Sequence, residues 1–267
     1  MYLTRRMRIA LRVVVGVVLA VVYVPLVVVM INSFNADRAF GWPPSGFTLR
    51  WWSRAAHNAG AFSALWTSVL VGLCATAVAL VLGTLAAMSL QRYRFFGRDA
   101  VSLLVILPIA LPGIVTGIAL NNAFRTILGI QLSLLTLIVA HATFCIVLVF
   151  NNVIARLRRL GGDLEEASMD LGADSFTTFW RITFPLLRTA LLAGGLLAFA
   201  LSFDEIIVTR FTASQNTTTL PIWILDNLFR PNQAPVVNVV ATVLVLLSII
   251  PITIAQRLSG DASGGRL

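Results

Sequence analysis

The chain has no lysine: all 20 of its basic residues are arginine. A phosphate loop of the form GxxxxGK[ST] uses a lysine to reach the nucleotide, so this chain carries none. Charge of either sign is scarce, at 12% of residues where a soluble domain carries about 25%. Cysteine is nearly absent. Cys74 and Cys145 lie far apart within apolar runs, which excludes a CxxC or metal-ligating pattern and leaves both as small packing residues. The only histidines, His57 and His141, fall in different halves of the chain, so no Ser/His/Asp or metal cluster emerges. No catalytic residue, metal site or cofactor is therefore expected on this chain. A net charge of +9 invites a nucleic-acid reading, but the arginines lie between apolar runs and not along one face.

What is abundant is hydrophobicity, at 58% apolar residues and a mean hydropathy of +0.89 over 267 residues. Such a chain reads as an all-α polytopic membrane protein, counted in apolar spans of about 20 residues. Six spans are expected, at about 13–31, 65–90, 100–120, 132–154, 185–208 and 235–255, in one transmembrane domain over 1–267. Arg5, Arg6, Arg8 and Arg12 precede the first span, and no small-x-small site follows it, so it reads as uncleaved. Trp42, Trp51 and Trp52 between the first two spans suit a membrane interface. With the N-terminus inside, fourteen of the 20 arginines fall on the inner side and six, at 38, 50, 54, 125, 210 and 230, on the outer. That asymmetry places both termini and the segment 156–184 in the cytoplasm of a cell-membrane protein. The Gly/Ser-rich tail from Gln256 reads as loosely ordered.

Three features within the spans invite two readings each. Pro108, Pro112, Gly113 and Gly117 predict a kinked helix with a GxxxG face, which serves either packing or the lining of a pathway. His141 is either a functional group within a span or a neutral imidazole satisfied by an interhelical hydrogen bond. Asp204 and Glu205 lie roughly 29 Å along a helix from Pro185, at about 1.5 Å per residue, facing the unfavourable end of its dipole. Water, Arg210 or a cationic substrate would compensate them, with Phe203, Phe211 and Trp223 as aromatic faces for an ammonium group.

The polar stretch from Asp163 to Pro185 stands out between two apolar blocks. It reads as two short helices broken at Gly172, a position suited to a left-handed helix end. Asp163 is placed to cap the first helix with Glu166 three residues on, as in a capping box, and Asp174 or Ser175 to cap the second. Phe176, Phe179 and Trp180 follow before Pro185 opens the next apolar run. Aromatics this dense in an aqueous loop call for a protein partner.

Glu166-Ala167-Ser168, three residues, Gly172, nine residues, Ile182, one residue and Phe184-Pro185 resembles the EAA loop of ABC importer permeases. Ser168 stands for the second alanine and Phe184 for the usual leucine. The run Leu107 to Gly117, Ser202-Phe203-Asp204-Glu205 and Thr219-Leu220-Pro221 resemble the polyamine (spermidine/putrescine) branch of that family. The resemblance implies the type I importer permease fold in the inner membrane. It further implies a second homologous permease, two cytoplasmic ABC ATPases that hold the ATP and Mg, and an extracytoplasmic substrate-binding protein. The coupling helix would lie in 156–184, with Glu166, Ala167, Ser168, Gly172, Phe176, Ile182 and Pro185 serving ATPase coupling. Asp204, Glu205, Phe203 and Trp223 are then candidates for the substrate pathway, and Pro108, Pro112, Gly113 and Gly117 for a kink in it. Related permeases carry iron, thiamine or phosphonates, which leaves those solutes as alternatives to a polyamine. A secondary transporter working without ATPases is the rival class; it often shows an internal repeat, and none is clear here.

Overall fold

Long apolar runs make the helices of this chain, and glycine, proline and serine decide where they stop. The computed structural model describes residues 4–38, 42–230 and 232–263. In chain order the helices are α1 (Arg5–Asn32), α2 (Arg50–Ala56), α3 (Ala59–Arg92), α4 (Arg98–Ala110), α5 (Gly113–Asn122) and α6 (Leu134–Leu160). They continue with α7 (Asp163–Asp170), α8 (Ser175–Thr178), α9 (Phe184–Asp204), α10 (Ile207–Thr212), α11 (Leu220–Asn227) and α12 (Ala234–Ser263). Single π-helical turns, Ala123–Ile127 and Phe179–Thr183, extend α5 and join α8 to α9. Among the described residues the only β pairing is an isolated bridge between Asn35 and Phe47.

The chain divides into two units. The first comprises residues up to Ala61 together with those from Ile224 onward, and the second is Phe62–Trp223. In the first, α12 packs against α1 and α2. Thr4 opens α1 by accepting the Met7 N–H on its Oγ1 at 3.4 Å. The most apolar window of α1 buries none of its residues within the chain, so that stretch of the helix is open to lipid or to another subunit, while its C-terminal end is partly buried. Beside it Trp51 is 1% exposed and donates its Nε1–H to the Asn35 carbonyl at 2.9 Å. The helix α12 continues to Ser263, so the tail expected to loosen from Gln256 is helical up to that residue. Arg266 lies outside the described residues.

In the second unit α6 and α9 form the main packed pair, with α3, α4 and α10 also contributing to the core. Ala75 and Ala79 of α3, Val149 and Phe150 of α6, and Leu187 and Ala198 of α9 are essentially fully buried. Gly83 permits the close approach of α3 to α6. A Cβ there would lie 3.0 Å from the Ile146 carbonyl oxygen and 3.1 Å from the Phe150 nitrogen, both backbone atoms that cannot swing away. Ser133 and Thr136 close a capping box at the start of α6, each side chain meeting the other's backbone N–H.

Two expected spans change shape. The span expected over 100–120 is broken: α4 and the α5 segment meet at a 107° bend. Pro112 disfavours helical backbone in the residue before it, and Leu111 is extended at φ −82°, ψ 144°. The span expected over 185–208 starts earlier, since α8, the π turn and α9 form one helix from Ser175, and it ends at Asp204. Among the described residues four helices are long and apolar enough to cross a membrane, α1, α3, α6 and the α8–α9 helix. The bent pair makes a fifth, and the described apolar part of α12, Ala234–Ile249, is shorter. The expected count of six is thus not reached by length and apolarity alone.

Candidate functional site

The stretch between α6 and α9 is built around glycines. Gly161, at φ +69°, ends α6, and Gly162 takes the N-cap position of α7. The expected capping box on Asp163 is not formed, because Asp163 is already the first helical residue and no side chain caps the Gly162 position. Asp163, Glu165 and Glu166 instead occupy the first turn, where carboxylates favour the positive helix end. At the other end of α7, Gly172 adopts φ +86°. Its N–H donates to the Met169 carbonyl at 2.9 Å and the Ala173 N–H to the Ser168 carbonyl at 3.1 Å. Those two bonds define a Schellman turn. A Cβ on Gly172 would meet nothing within 4 Å, so the glycine is required by backbone conformation and not by space.

Asp174 then caps α8, accepting the Thr177 N–H at 3.1 Å. The bonds from Thr177 hold its carboxyl below the usual aspartate range. Ser168 and Thr178 share a hydroxyl–hydroxyl bond at 3.0 Å, so the serine that replaces the alanine of the EAA pattern ties α7 to α8. The partly buried carboxylate of this loop is Glu165, with Glu166 and Ala167 exposed. Glu165 pairs with Arg92 at the end of α3, Oε2 to Nη2 at 2.6 Å, and its Oε1 accepts the Thr183 hydroxyl. Arg156 anchors the same region by donating Nε–H to the Leu186 carbonyl at 3.0 Å. Neither anchor follows from residue spacing, since each joins segments brought together only by the fold.

The outer face of this loop is apolar. Leu171 is 90% exposed and Phe176 70%, and Met169 and Trp180 are about half exposed. Trp180 meets Phe176, Phe179 and Phe184 at ring-centroid distances of 6.2, 5.3 and 5.1 Å. Ile182 is half-buried behind this cluster, and Pro185 sits in the first turn of α9, where its missing N–H costs nothing. The loop thus presents an exposed aromatic patch on a pinned polar base.

The second candidate region is the corner between α9 and α10. Asp204 is the last residue of α9 and is exposed. Glu205 is extended at ψ 121° and turns into α10, where its Oε1 accepts the Val208 N–H at 2.9 Å. Its charge therefore meets the positive end of the next helix, a compensation that a single span over 185–208 would not offer. Phe203 stacks obliquely on Phe199 at 5.8 Å. Trp223 is only 8% exposed, and Phe211 is spent on packing: a Cβ on Gly117 would lie 2.7 Å from its ring. Gly113 faces Ile207 at an ordinary 3.6 Å, so the small-residue face of α5 lies on α10, with Pro108 and Pro112 flanking the bend before it.

His141 holds this corner from below. It is fully buried on α6, with Nδ1 2.7 Å from the Ser202 hydroxyl and Nε2 2.9 Å from the Thr209 hydroxyl. Thr209 donates its own proton to the Glu205 carbonyl at 2.8 Å, so its oxygen accepts from Nε2–H and the Ser202 hydroxyl donates to Nδ1. One neutral imidazole thus bridges α6, α9 and α10. Thr136 adds a weaker tie, its one hydroxyl proton shared between the Ser133 carbonyl at 2.9 Å and the Thr212 carbonyl at 3.2 Å.

A bent helix pair, a helix broken at a carboxylate corner, and a loop with a pinned base and apolar face are the features that this membrane chain presents. Residues 79–261 match the family described as binding-protein-dependent transport system inner membrane component, and the chain belongs to that family of multi-pass ABC importer permeases. It is 35% identical over 246 residues to the spermidine/putrescine transport system permease protein PotC of Escherichia coli, covering 92% of each chain. It is 33% identical to the putrescine transport system permease protein PotI of Escherichia coli, covering 83% of this chain and 80% of that one. In fold it matches a chain of a bacterial ABC transporter involved in the import of the acidic polysaccharide alginate, with a TM-score of 0.72 at 17% identity, covering 98% of this chain and 99% of the other.

Proposed function

We propose that this chain is the membrane-spanning subunit of an ATP-driven importer for a polyamine such as putrescine or spermidine. Its relatives named for those substrates align over most of its length, and that observation carries the substrate class. The energy comes from partner chains. Of two cytoplasmic ATPases, one docks on the exposed face of Leu171, Phe176 and Trp180, and the other on the corresponding loop of a second, homologous permease that completes the membrane part. An extracytoplasmic binding protein delivers the substrate, and both termini lie in the cytoplasm, as the arginine distribution favours.

The mechanism is alternating access driven through the loop. ATP binding draws the ATPases together and carries the docked α7–α8 surfaces with them. The Schellman turn at Gly172 and the Glu165–Arg92 pair make α7 stiff relative to α3, so displacement of the loop moves the helix to which it is tied. On the far side, Asp204 and Glu205 offer carboxylate oxygens to a passing ammonium group. Uptake of labelled putrescine and spermidine into cells lacking their own polyamine importers, expressing this chain with its partner subunits, tests the reading. Accumulation that requires ATP and the binding protein supports it; uptake that persists without the ATPases would place the chain among secondary transporters.

A further inference from the structure

Three guanidinium groups in the first unit share one cavity without a counter-charge. Arg38, Arg50 and Arg54, together with His57 and Gln233, line a space of about 670 Å³ at the end where α2 meets the start of α12. Among the described residues no carboxylate pairs with any of the three arginines. Asp37, the sequence neighbour of Arg38, accepts the Ser45 hydroxyl at 2.6 Å instead.

The cluster is held in place. The Arg50 guanidinium lies 4.3 Å and that of Arg54 5.3 Å from the ring centroid of Trp51, which is itself buried and tied to Asn35. Stacking occupies a face of each guanidinium and leaves its N–H edge for oxygen ligands. His57 donates Nδ1–H to the Ser53 carbonyl at 2.8 Å, which leaves Nε2 for a ligand. Asn232 and Gln233, just before α12, and Val236 in its first turn line the cavity as well, so the positive end of that helix lies at its wall. Gln233 presents a buried Oε1 with no hydrogen-bond partner, which calls for a donor.

We propose that this cavity binds a phosphate oxyanion, supplied by the headgroup of an anionic glycerophospholipid such as phosphatidylglycerol. Bidentate guanidinium contacts suit the two unesterified oxygens, and a headgroup hydroxyl satisfies Gln233. The cavity is much larger than a phosphate ion. It belongs to the same unit as α1, whose apolar flank is exposed, and as Trp42, at 62% exposure. Both are features of a lipid-facing membrane interface. The same charge repels a polyamine, so this is not a substrate site, and the proposal stands independently of the substrate class.

The test uses the complex purified in mild detergent, depleted of lipid and loaded with phosphatidylglycerol, with retained lipid read by native mass spectrometry. The parent complex is expected to hold phosphatidylglycerol through a wash that removes phosphatidylcholine, and Arg50→Gln with Arg54→Gln to lower its occupancy about tenfold. Arg50→Lys with Arg54→Lys keeps the charge and should keep most of the lipid, which separates lost binding from lost folding. Resistance to excess inorganic phosphate assigns the site to lipid; displacement by it assigns the site to free phosphate, with the same arginines as ligands. Equal retention by parent and glutamine variant overturns the proposal, as does an acidic peptide that displaces the lipid where phosphate does not.

Discussion

Gly172 concentrates the residue-scale physics of the coupling loop. Its φ of +86° costs an L-residue about 1–2 kcal/mol, and the open space around it adds no steric penalty. Gly172→Val should therefore lower transport sharply with unchanged membrane insertion, and Gly172→Asn, which tolerates left-handed backbone, should restore most of it. Equal uptake by the valine variant would show that the turn is dispensable. Glu165 and Arg92 make a second residue-scale prediction. Either charge reversed alone should weaken ATP-driven uptake several-fold, and Arg92→Glu with Glu165→Arg should recover part of it, read as transport per ATP hydrolysed. His141→Phe leaves the buried Ser202 hydroxyl without its acceptor and takes a donor from Thr209, at about 1–3 kcal/mol, so the detergent-solubilised protein should melt at a lower temperature. An unchanged melt would contradict the bridging role. The Asp174 cap, with its carboxyl held below the ordinary range, is fully present at neutral pH and is lost only as pH falls through that lowered value.

At the scale of elements, sequence patterns located helices better than they located breaks. Length and apolarity mark the membrane-scale helices, and Gly172 and Asp174 mark the loop helices because turn and cap chemistry is local. The sequence suggests a kinked span over 100–120 and not a 107° break, since one proline within a helix differs little in sequence from one that ends it. The corner at Glu205 was missed because its carboxylate is stabilised by an amide of a helix that runs only from Ile207 to Thr212. The anchors Glu165–Arg92 and His141–Ser202 join residues far apart in the chain and leave no local signature. That corner carries the element-scale prediction. Glu205→Gln keeps an acceptor for the Val208 N–H, so with Asp204→Asn it removes charge while sparing the turn. Uptake of a cationic substrate should show a raised KM with the fold intact, and unaffected kinetics would remove both carboxylates from the pathway.

For the whole molecule, the missing lysine and the exposed aromatic loop both support the proposal that transport draws on ATP hydrolysed by partner chains. The apolar patch of Leu171, Phe176 and Trp180 is where that energy would enter, at the foot of a helix that runs without interruption from Ser175 to the carboxylate corner at Asp204. On the proposed roles, loss of docking and loss of substrate binding should be separable, because the two regions lie at opposite ends of that helix. The most direct measurement is putrescine uptake by proteoliposomes containing the assembled transporter and its binding protein, comparing the parent with Phe176→Ala and Trp180→Ala together. The account predicts uptake that requires ATP in the parent, and in the variant a loss of uptake together with loss of the ATPases on gel filtration. Full ATP-driven uptake by a variant stripped of both aromatics would contradict it.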